Sequence, residues 1–280
     1  MKPTKLLLTL CALLLSFSAF AQDKEFGIYL GTAQYQGDLS QNQITINETK
    51  PAFGILGRYY LNPRFDIKGS LYVGWIAGSD SLNYSNDHDR AKRNLSFQSV
   101  VIDLGATAEF NLLPYISNSK KYRFAPVLFA GLSLFYFNPT ADYHGQDNIA
   151  LQPLGTEGQN LPGSSLKPYS LVQLSIPIGI AFKYSLGNFW NLGLEIGLHK
   201  TFTDYLDDVS GTYANYDQLK GNKALSAELA NRTADGTGNP NFNPNSMNGG
   251  TRGNPNRNDT YIFAGFTLTK TIRRWSCTGF

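Results

Sequence analysis

Between Ser99 and Leu112 the chain alternates almost without break. Val100, Ile102, Leu104, Ala106, Ala108 and Phe110 hold one parity, and Ser99, Asp103, Gly105, Thr107, Glu109 and Asn111 the other, with Val101 the one misfit. Successive side chains of a β-strand point to opposite faces. The segment is therefore a strand with one apolar side and one polar, charged side, and it exceeds the roughly 9–11 residues that a tilted strand needs to cross a bilayer. The pattern recurs. In Leu171–Leu186, Val172, Leu174, Ile176, Ile178, Ile180, Phe182 and Tyr184 oppose Gln173, Ser175, Gly179 and Lys183. Trp190, Leu192, Leu194, Ile196 and Leu198 then oppose Asn191, Gly193, Glu195, Gly197, His199 and Thr201. Arg64–Ile76 sets Ile67, Leu71, Val73 and Trp75 against Asp66, Lys68, Ser70 and Tyr72, and Thr260–Thr271 sets Ile262, Ala264, Phe266 and Leu268 against Phe263, Gly265, Thr267 and Thr269. Weaker segments at Glu25–Tyr35, Pro51–Leu61 and Tyr122–Phe137 bring the expected strands to eight.

The connections alternate as well. Asn62-Pro63, Pro114–Lys121 and Gly187-Asn188 read as short turns, whereas Gln36–Lys50, Ala77–Asn94, Asn138–Pro168 and Asp204–Asn258 are long and polar. Short turns on one side and long loops on the other are the layout of an outer-membrane barrel. The expected fold is all-β: an eight-stranded antiparallel, up-and-down transmembrane β-barrel with long extracellular loops and short periplasmic turns, both termini in the periplasm. The Asn-, Gly- and Pro-rich stretch Gly236–Asn258 is expected to be a mobile loop, with a short helix near Leu219–Ala230.

The first residues set the compartment. Lys2 and Lys5 precede an apolar run, Leu6–Phe17, which is shorter than the roughly 20 residues of a spanning helix. Ala19-Phe20-Ala21 supplies a small-x-small cleavage pattern, so residues 1–21 read as a signal peptide and the mature chain begins at Gln22. Cys11 follows Leu8-Thr9-Leu10, which lacks the small residue a lipidation site wants before its cysteine. Without the leader, 22 Lys and Arg face 21 Asp and Glu, a balance that suggests no nucleic-acid partner. One cysteine, Cys277, remains, which excludes an intrachain disulfide in the mature chain. The expected organisation is signal peptide 1–21, barrel 22–272 and periplasmic tail 273–280.

Alternation alone does not say which face is outside, and a soluble lipocalin-like barrel would hold its apolar side inward. The polar faces combine small residues with charges of both signs, as a narrow interior requires, and the apolar faces carry Trp75, Phe110, Tyr184 and Trp190 near strand ends, where interfacial girdles sit. Arg58, Asp66, Lys68, Asp103, Glu109, Lys183, Glu195 and His199 should then form an ion-paired plug, since eight strands enclose room only for side chains.

Few residues suggest chemistry. Asn86-Asp87-His88-Asp89 reads as a solvated turn. Gly163-Ser164-Ser165 lacks the strand–turn–helix context of a nucleophile elbow. Asp204, Asp207 and Asp208 lack calcium-loop spacing and read as turn caps. No catalytic residue, cofactor, metal site or small-molecule substrate is expected. Arg273, Arg274, Trp275 and Cys277 form a basic, aromatic tail suited either to docking, with Cys277 as a candidate for an intermolecular disulfide, or to a terminal assembly signal. Rival readings are a lipid-acting outer-membrane enzyme and a passive small surface barrel.

A set of strings occurs in a fixed order: Tyr35-Gln36-Gly37-Asp38-Leu39, Phe137-Asn138-Pro139, Leu154–Gln159, Tyr169-Ser170, Ile176-Pro177-Ile178-Gly179, Thr203–Ser210, and Arg252-Gly253-Asn254 with Asp259 and Tyr261. With a cysteine near the C-terminus, the chain resembles the PorG-like family of Bacteroidota outer-membrane barrels over nearly the whole mature length. That resemblance implies a non-enzymatic anchoring and assembly subunit of the type IX protein secretion system. Its implied partners are outer-membrane lipid on the wall and, on the periplasmic side, the ring lipoprotein and its ring partner (PorK- and PorN-like).

Overall fold

The computed structural model describes residues 23–40, 48–83, 92–239 and 241–272. Nine strands appear: β1 (Lys24–Gln36), β2 (Lys50–Asn62), β3 (Phe65–Ser79), β4 (Ser96–Asn111), β5 (Phe124–Tyr143), β6 (Gln146–Ala150), β7 (Val172–Gly187), β8 (Trp190–Thr201) and β9 (Thr260–Ile272). Eight of them form a ring, all pairs antiparallel: each pairs with its chain neighbours, β5 pairs with β7, and β9 pairs with β1 from Lys24↔Ile272 to Gln36↔Thr260. No wall strand is left with an open edge, the condition for placing strands in hydrocarbon. Both described chain ends and the three short turns lie at one end of the tube, here the turn end, and the long connections at the other, the loop end.

β6 was not expected. β5 does not stop at Phe137; it runs on past Asn138-Pro139 and pairs above the ring with β6, Thr140 opposite Ala150. His144 and Gly145 take positive φ (47° and 81°) at the hairpin tip, as the tight turns that match strand twist require. Pro139 is tolerated because its missing N–H is not needed, while its carbonyl still accepts from Leu151 N at 2.9 Å.

The apolar rows face outward. Leu104, Leu132 and Phe266 are about 60% exposed, and Phe53–Trp75, Phe65–Phe110 and Phe124–Phe182 pair their rings across neighbouring strands on the same surface. The polar rows are buried in the lumen. So large a continuous apolar surface on a closed sheet is the signature of a wall solvated by lipid. Within the described residues no helix is long and apolar enough to cross a membrane; the crossing belongs to the strands.

Val101, the misfit, points inward to a packed aromatic layer: Tyr29, Tyr72 and Phe263, then Tyr261, Phe135, Phe137, Tyr35 and Phe97 toward the loop end. Lower in the lumen Phe129 needs the paired glycines Gly179 and Gly197, because a Cβ on Gly179 would lie 2.5 Å from its Cζ.

The loop end is closed by a folded cap, which corrects the expectation of a mobile loop at Gly236–Asn258. Asn243 caps a single 3-10 turn, Pro244–Met247, and Thr212 pairs with Thr251 to return the chain to the barrel. The helix expected near Leu219–Ala230 is two, α1 (Tyr216–Asn222) and α2 (Ala224–Ala230), followed by α3 (Thr233–Thr237). Lys223 breaks them with extended backbone (φ −148°), and its Nζ reaches Pro153 O at 3.0 Å. Leu219, Ala227 and Ala230 bury their side chains against Leu161 and Tyr216, and Ser226 Oγ donates to Leu154 O.

Candidate functional site

Two buried polar assemblies occupy the tube, one in its turn-end half and one in the cap. In the first, strand parity alone sends Glu25, Arg58, Asp66, Lys68, Glu109, Lys183 and Glu195 into the lumen, each no more than 5% exposed. Glu109 is the hub. Its Oε2 accepts from Arg58 Nε at 2.9 Å and lies 2.6 Å from Lys183 Nζ, while Oε1 lies 3.5 Å from Lys68 Nζ. Arg58 also donates to Glu25 (2.8 Å), Lys68 pairs with Glu195 (2.6 Å) and Lys183 with Asp66 (2.8 Å). Tyr60 and Thr269 donate to Glu25, and Tyr115 donates to Asn191 at 2.8 Å. Where lipid surrounds the wall, each such charge must find its partner inside.

Further up, Tyr261 OH donates to Asp103 Oδ2 at 2.6 Å, and His199 Nδ1 lies 3.2 Å from the same oxygen with its ring stacked on Tyr261. Ser133 and Ser175 share a 2.6 Å hydrogen bond, and Ser175 meets Tyr261 OH at 3.2 Å. Serine, histidine and aspartate thus approach one another through Asp103, which both Ser133 and His199 reach. Phe135 and Phe137 pack on the loop-end side of this group and Phe263 on its turn-end side, each at most 1% exposed. Its members are enclosed, each at most 5% exposed.

The second assembly is built around Thr203–Ser210, between β8 and the cap helices. Tyr35 OH donates to Asp207 Oδ2 at 2.5 Å, and Leu206 N donates to Asp259 Oδ2 at 2.9 Å. Thr156 Oγ1 and Tyr169 OH donate to Asp208 at 2.5 and 2.7 Å. Glu157 accepts from Ser210 N (2.9 Å), Tyr205 OH (3.2 Å) and Arg252 Nη1 (3.1 Å). Asp38 accepts from Asn254 N at 2.7 Å, and Arg93 grips Asp80 with Nε and Nη2 at 2.8 and 2.6 Å. Asp204 is buried, and its carboxylate oxygens make no well-aligned hydrogen bond within the described residues, the Ser210 side chain being the donor beside it.

Burial drives the acidities here. It pushes Asp204 up to about 7, with Asp38 and Glu157 adding repulsion. Asp208 rises to about 6 because burial outweighs the attraction of Arg252. Burial also lifts Asp207 and Asp259 well above the usual carboxylate range, Asp259 further through Asp207, Asp204 and Asp38. Asp207 does also act as a turn cap, accepting from Val209 N at 2.9 Å, but all three aspartates of the string are buried rather than solvated. Within the described residues no three His, Cys, Asp or Glu stand so as to hold a metal ion.

Of the residues singled out from sequence, Arg58, Asp66, Lys68, Asp103, Glu109, Lys183, Glu195 and His199 all lie in the lumen. Arg273, Arg274, Trp275 and Cys277 fall outside the described residues, as does Asn86–Asp89. His144 stands at the β5–β6 hairpin tip, 3.9 Å from Asp235, far in the fold from His199. Glu25 was missed, although Glu25, Gly27, Tyr29, Gly31 and Ala33 share its parity against Phe26, Ile28 and Leu30.

Several solved structures are similar. Ail, the attachment invasion locus protein of Yersinia pestis, shares 7% identity over 90% of this chain and 100% of that chain, with a TM-score of 0.41. Neisserial surface protein A (NspA) shares 10% over 90% and 97%, TM-score 0.39. The outer membrane protein OprG from Pseudomonas aeruginosa shares 8% over 91% and 97%, TM-score 0.39. The closure of the present barrel rests on its own strand pairing. None of the curated proteins matches. A family model described as "Domain of unknown function (DUF6089)" matches residues 4–153, more than half of the 280-residue chain, and the chain belongs to that family.

Proposed function

We propose that this chain is exported behind residues 1–21 to the outer membrane of a diderm bacterium. There it serves as a non-enzymatic anchoring and assembly subunit, with its turn end and termini in the periplasm. One observation carries this reading: the lumen is filled from end to end, by ion pairs, then aromatic rings, then a folded cap. A tube so blocked supports no through-pore among the described residues, and makes its two ends the working surfaces. The resemblance to the PorG-like family supplies the finer reading. In it, the periplasmic turns and the tail with Arg273, Arg274, Trp275 and Cys277 dock a PorK-like ring lipoprotein and its PorN-like partner in the type IX secretion system. Capture of the native complex in mild detergent should recover such ring proteins. A barrel recovered alone would remove the docking role and leave a passive surface barrel. In planar bilayers the purified protein should give no conductance steps.

A further inference from the structure

The lipid-facing rows do not end alike. At the loop end the outward rows finish on mostly uncharged residues, with Lys200 of β8 the cation. At the turn end the outward rows finish on two cations, Lys24 and Lys270, and the turns beside them add exposed Arg64, Lys120, Lys121 and Arg123, with Asp23 as the acid among the described residues of that rim. Two of these cations belong to the wall itself. Lys24 continues the outward row of Phe26, Ile28 and Leu30, and Lys270 that of Phe266 and Leu268. The register places Lys24 opposite Ile272 and Phe26 opposite Lys270, so the two lysines are diagonal neighbours on one face of the closing seam. On the other side of β9, Trp190 lies directly opposite Lys270, its ring 41% exposed and 5.3 Å from Lys270 Nζ.

We infer that Lys24, Lys270 and Trp190 form a binding site for the phosphate of an anionic phospholipid. The three stand on adjacent strands at the lower margin of the apolar belt. Two ammonium groups there straddle the depth at which a lipid phosphate lies, with their stems along apolar wall. The indole sits beside Lys270 at the same margin, where Trp is favoured. The Lys270–Trp190 contact holds one ammonium over the ring, so it is aimed along the wall instead of into bulk water. The same device recurs on the rim with Arg123 over Tyr184 (5.2 Å). A zwitterionic lipid brings its own cation to the site and gains less. The proposal rests on the wall's contact with lipid and not on the secretion role.

The test uses the full chain with Trp75→Phe and Trp275→Phe, so that Trp190 reports alone. It is folded into phosphatidylcholine vesicles containing increasing fractions of brominated phosphatidylglycerol or brominated phosphatidylcholine. Each nearby lysine is worth about fivefold in preference for anionic lipid, so the two together should let phosphatidylglycerol quench Trp190 at a roughly 25-fold lower fraction. Lys24→Gln with Lys270→Gln should bring the two lipids level while leaving quenching by phosphatidylcholine intact, which also reports that the barrel has inserted. Should that pair fail to insert, Lys24→Gln alone, which keeps the Lys270–Trp190 contact, should still lower the preference about fivefold. Lys200→Gln at the opposite rim should change nothing. Equal quenching by both lipids in the parent, a preference that survives the lysine changes, or its loss on adding millimolar inorganic phosphate at constant ionic strength would overturn the proposal.

Discussion

In the turn-end half of the lumen, three cations (Arg58, Lys68 and Lys183) face four carboxylates (Glu25, Asp66, Glu109 and Glu195), and each charge has an opposite partner within 4 Å. In the cap, two cations, Arg93 and Arg252, stand among seven buried carboxylates: Asp38, Asp80, Glu157, Asp204, Asp207, Asp208 and Asp259. The difference follows the surroundings. A lumen girdled by hydrocarbon has no water with which to solvate a stray charge, so pairing is close to stoichiometric. The cap stands beyond the wall and can meet its surplus acid by retaining protons, as the raised acidities of Asp204, Asp207, Asp208 and Asp259 indicate.

That contrast can be broken most forcefully at its hub. Glu109→Ala removes the carboxylate that Arg58, Lys68 and Lys183 share, leaving each with one partner (Glu25, Glu195 and Asp66), and should destabilise the barrel by about 1–3 kcal/mol through the lost charged hydrogen bonds. Urea unfolding in micelles, followed by the heat-modifiable gel shift, measures it; a loss below about 1 kcal/mol would mean that the network is not structural. Arg252→Met should act differently. It leaves Glu157 and Asp208 without their cation, costing about 2–3 kcal/mol locally. Limited proteolysis should then cut the 202–259 segment while the barrel's own unfolding midpoint stays put.

The pH response sharpens the comparison. Asp204 and Asp208 hold folded values of about 7 and 6, above the roughly 4 of an unfolded aspartate. Between those limits the folded cap binds more protons than the unfolded segment, so its stability is greatest near and below pH 4 and is lost as pH rises through 6 to 7. Hydrogen exchange across Thr203–Gly211 should therefore lose at least about tenfold in protection from pH 5 to pH 8, after correction for intrinsic rates. Tightening with rising pH would refute it. Asp204→Asn is the smallest change. With only the Ser210 side chain beside it to lose, it should shift cap stability at pH 7 by less than about 1 kcal/mol, and the pH slope should become shallower.

How the chain folds was legible where a period of two carries it. The outward and inward parities of β3, β4, β7, β8 and β9 are those read from residues alone, and the ends of β4 and β7 shift by no more than three residues. β6 was not legible, since Gln146–Ala150 has no alternating apolar face and is held by the overhang of β5. Nor was the order of the cap. Its composition is that of a solvated loop, and its hydrogen bonds join residues far apart in sequence, such as Tyr35 to Asp207 and Thr156 to Asp208. A hint was nonetheless present. Tyr35–Leu39, Leu154–Gln159, Tyr169, Thr203–Ser210 and Arg252–Asp259, which stood out as separate strings, converge on this one assembly.

The seam between β1 and β9 sets an order of events in biogenesis. Strand β1 has one of its two ladder partners in the last strand described, more than 220 residues away, and until that strand exists its outer edge has no mate. A growing polypeptide therefore cannot complete even a provisional cylinder, and each half-finished curl would present bare amides to any neighbour. Closure of the wall waits for β9, and truncation short of Ile272 should yield no smaller version of the same vessel.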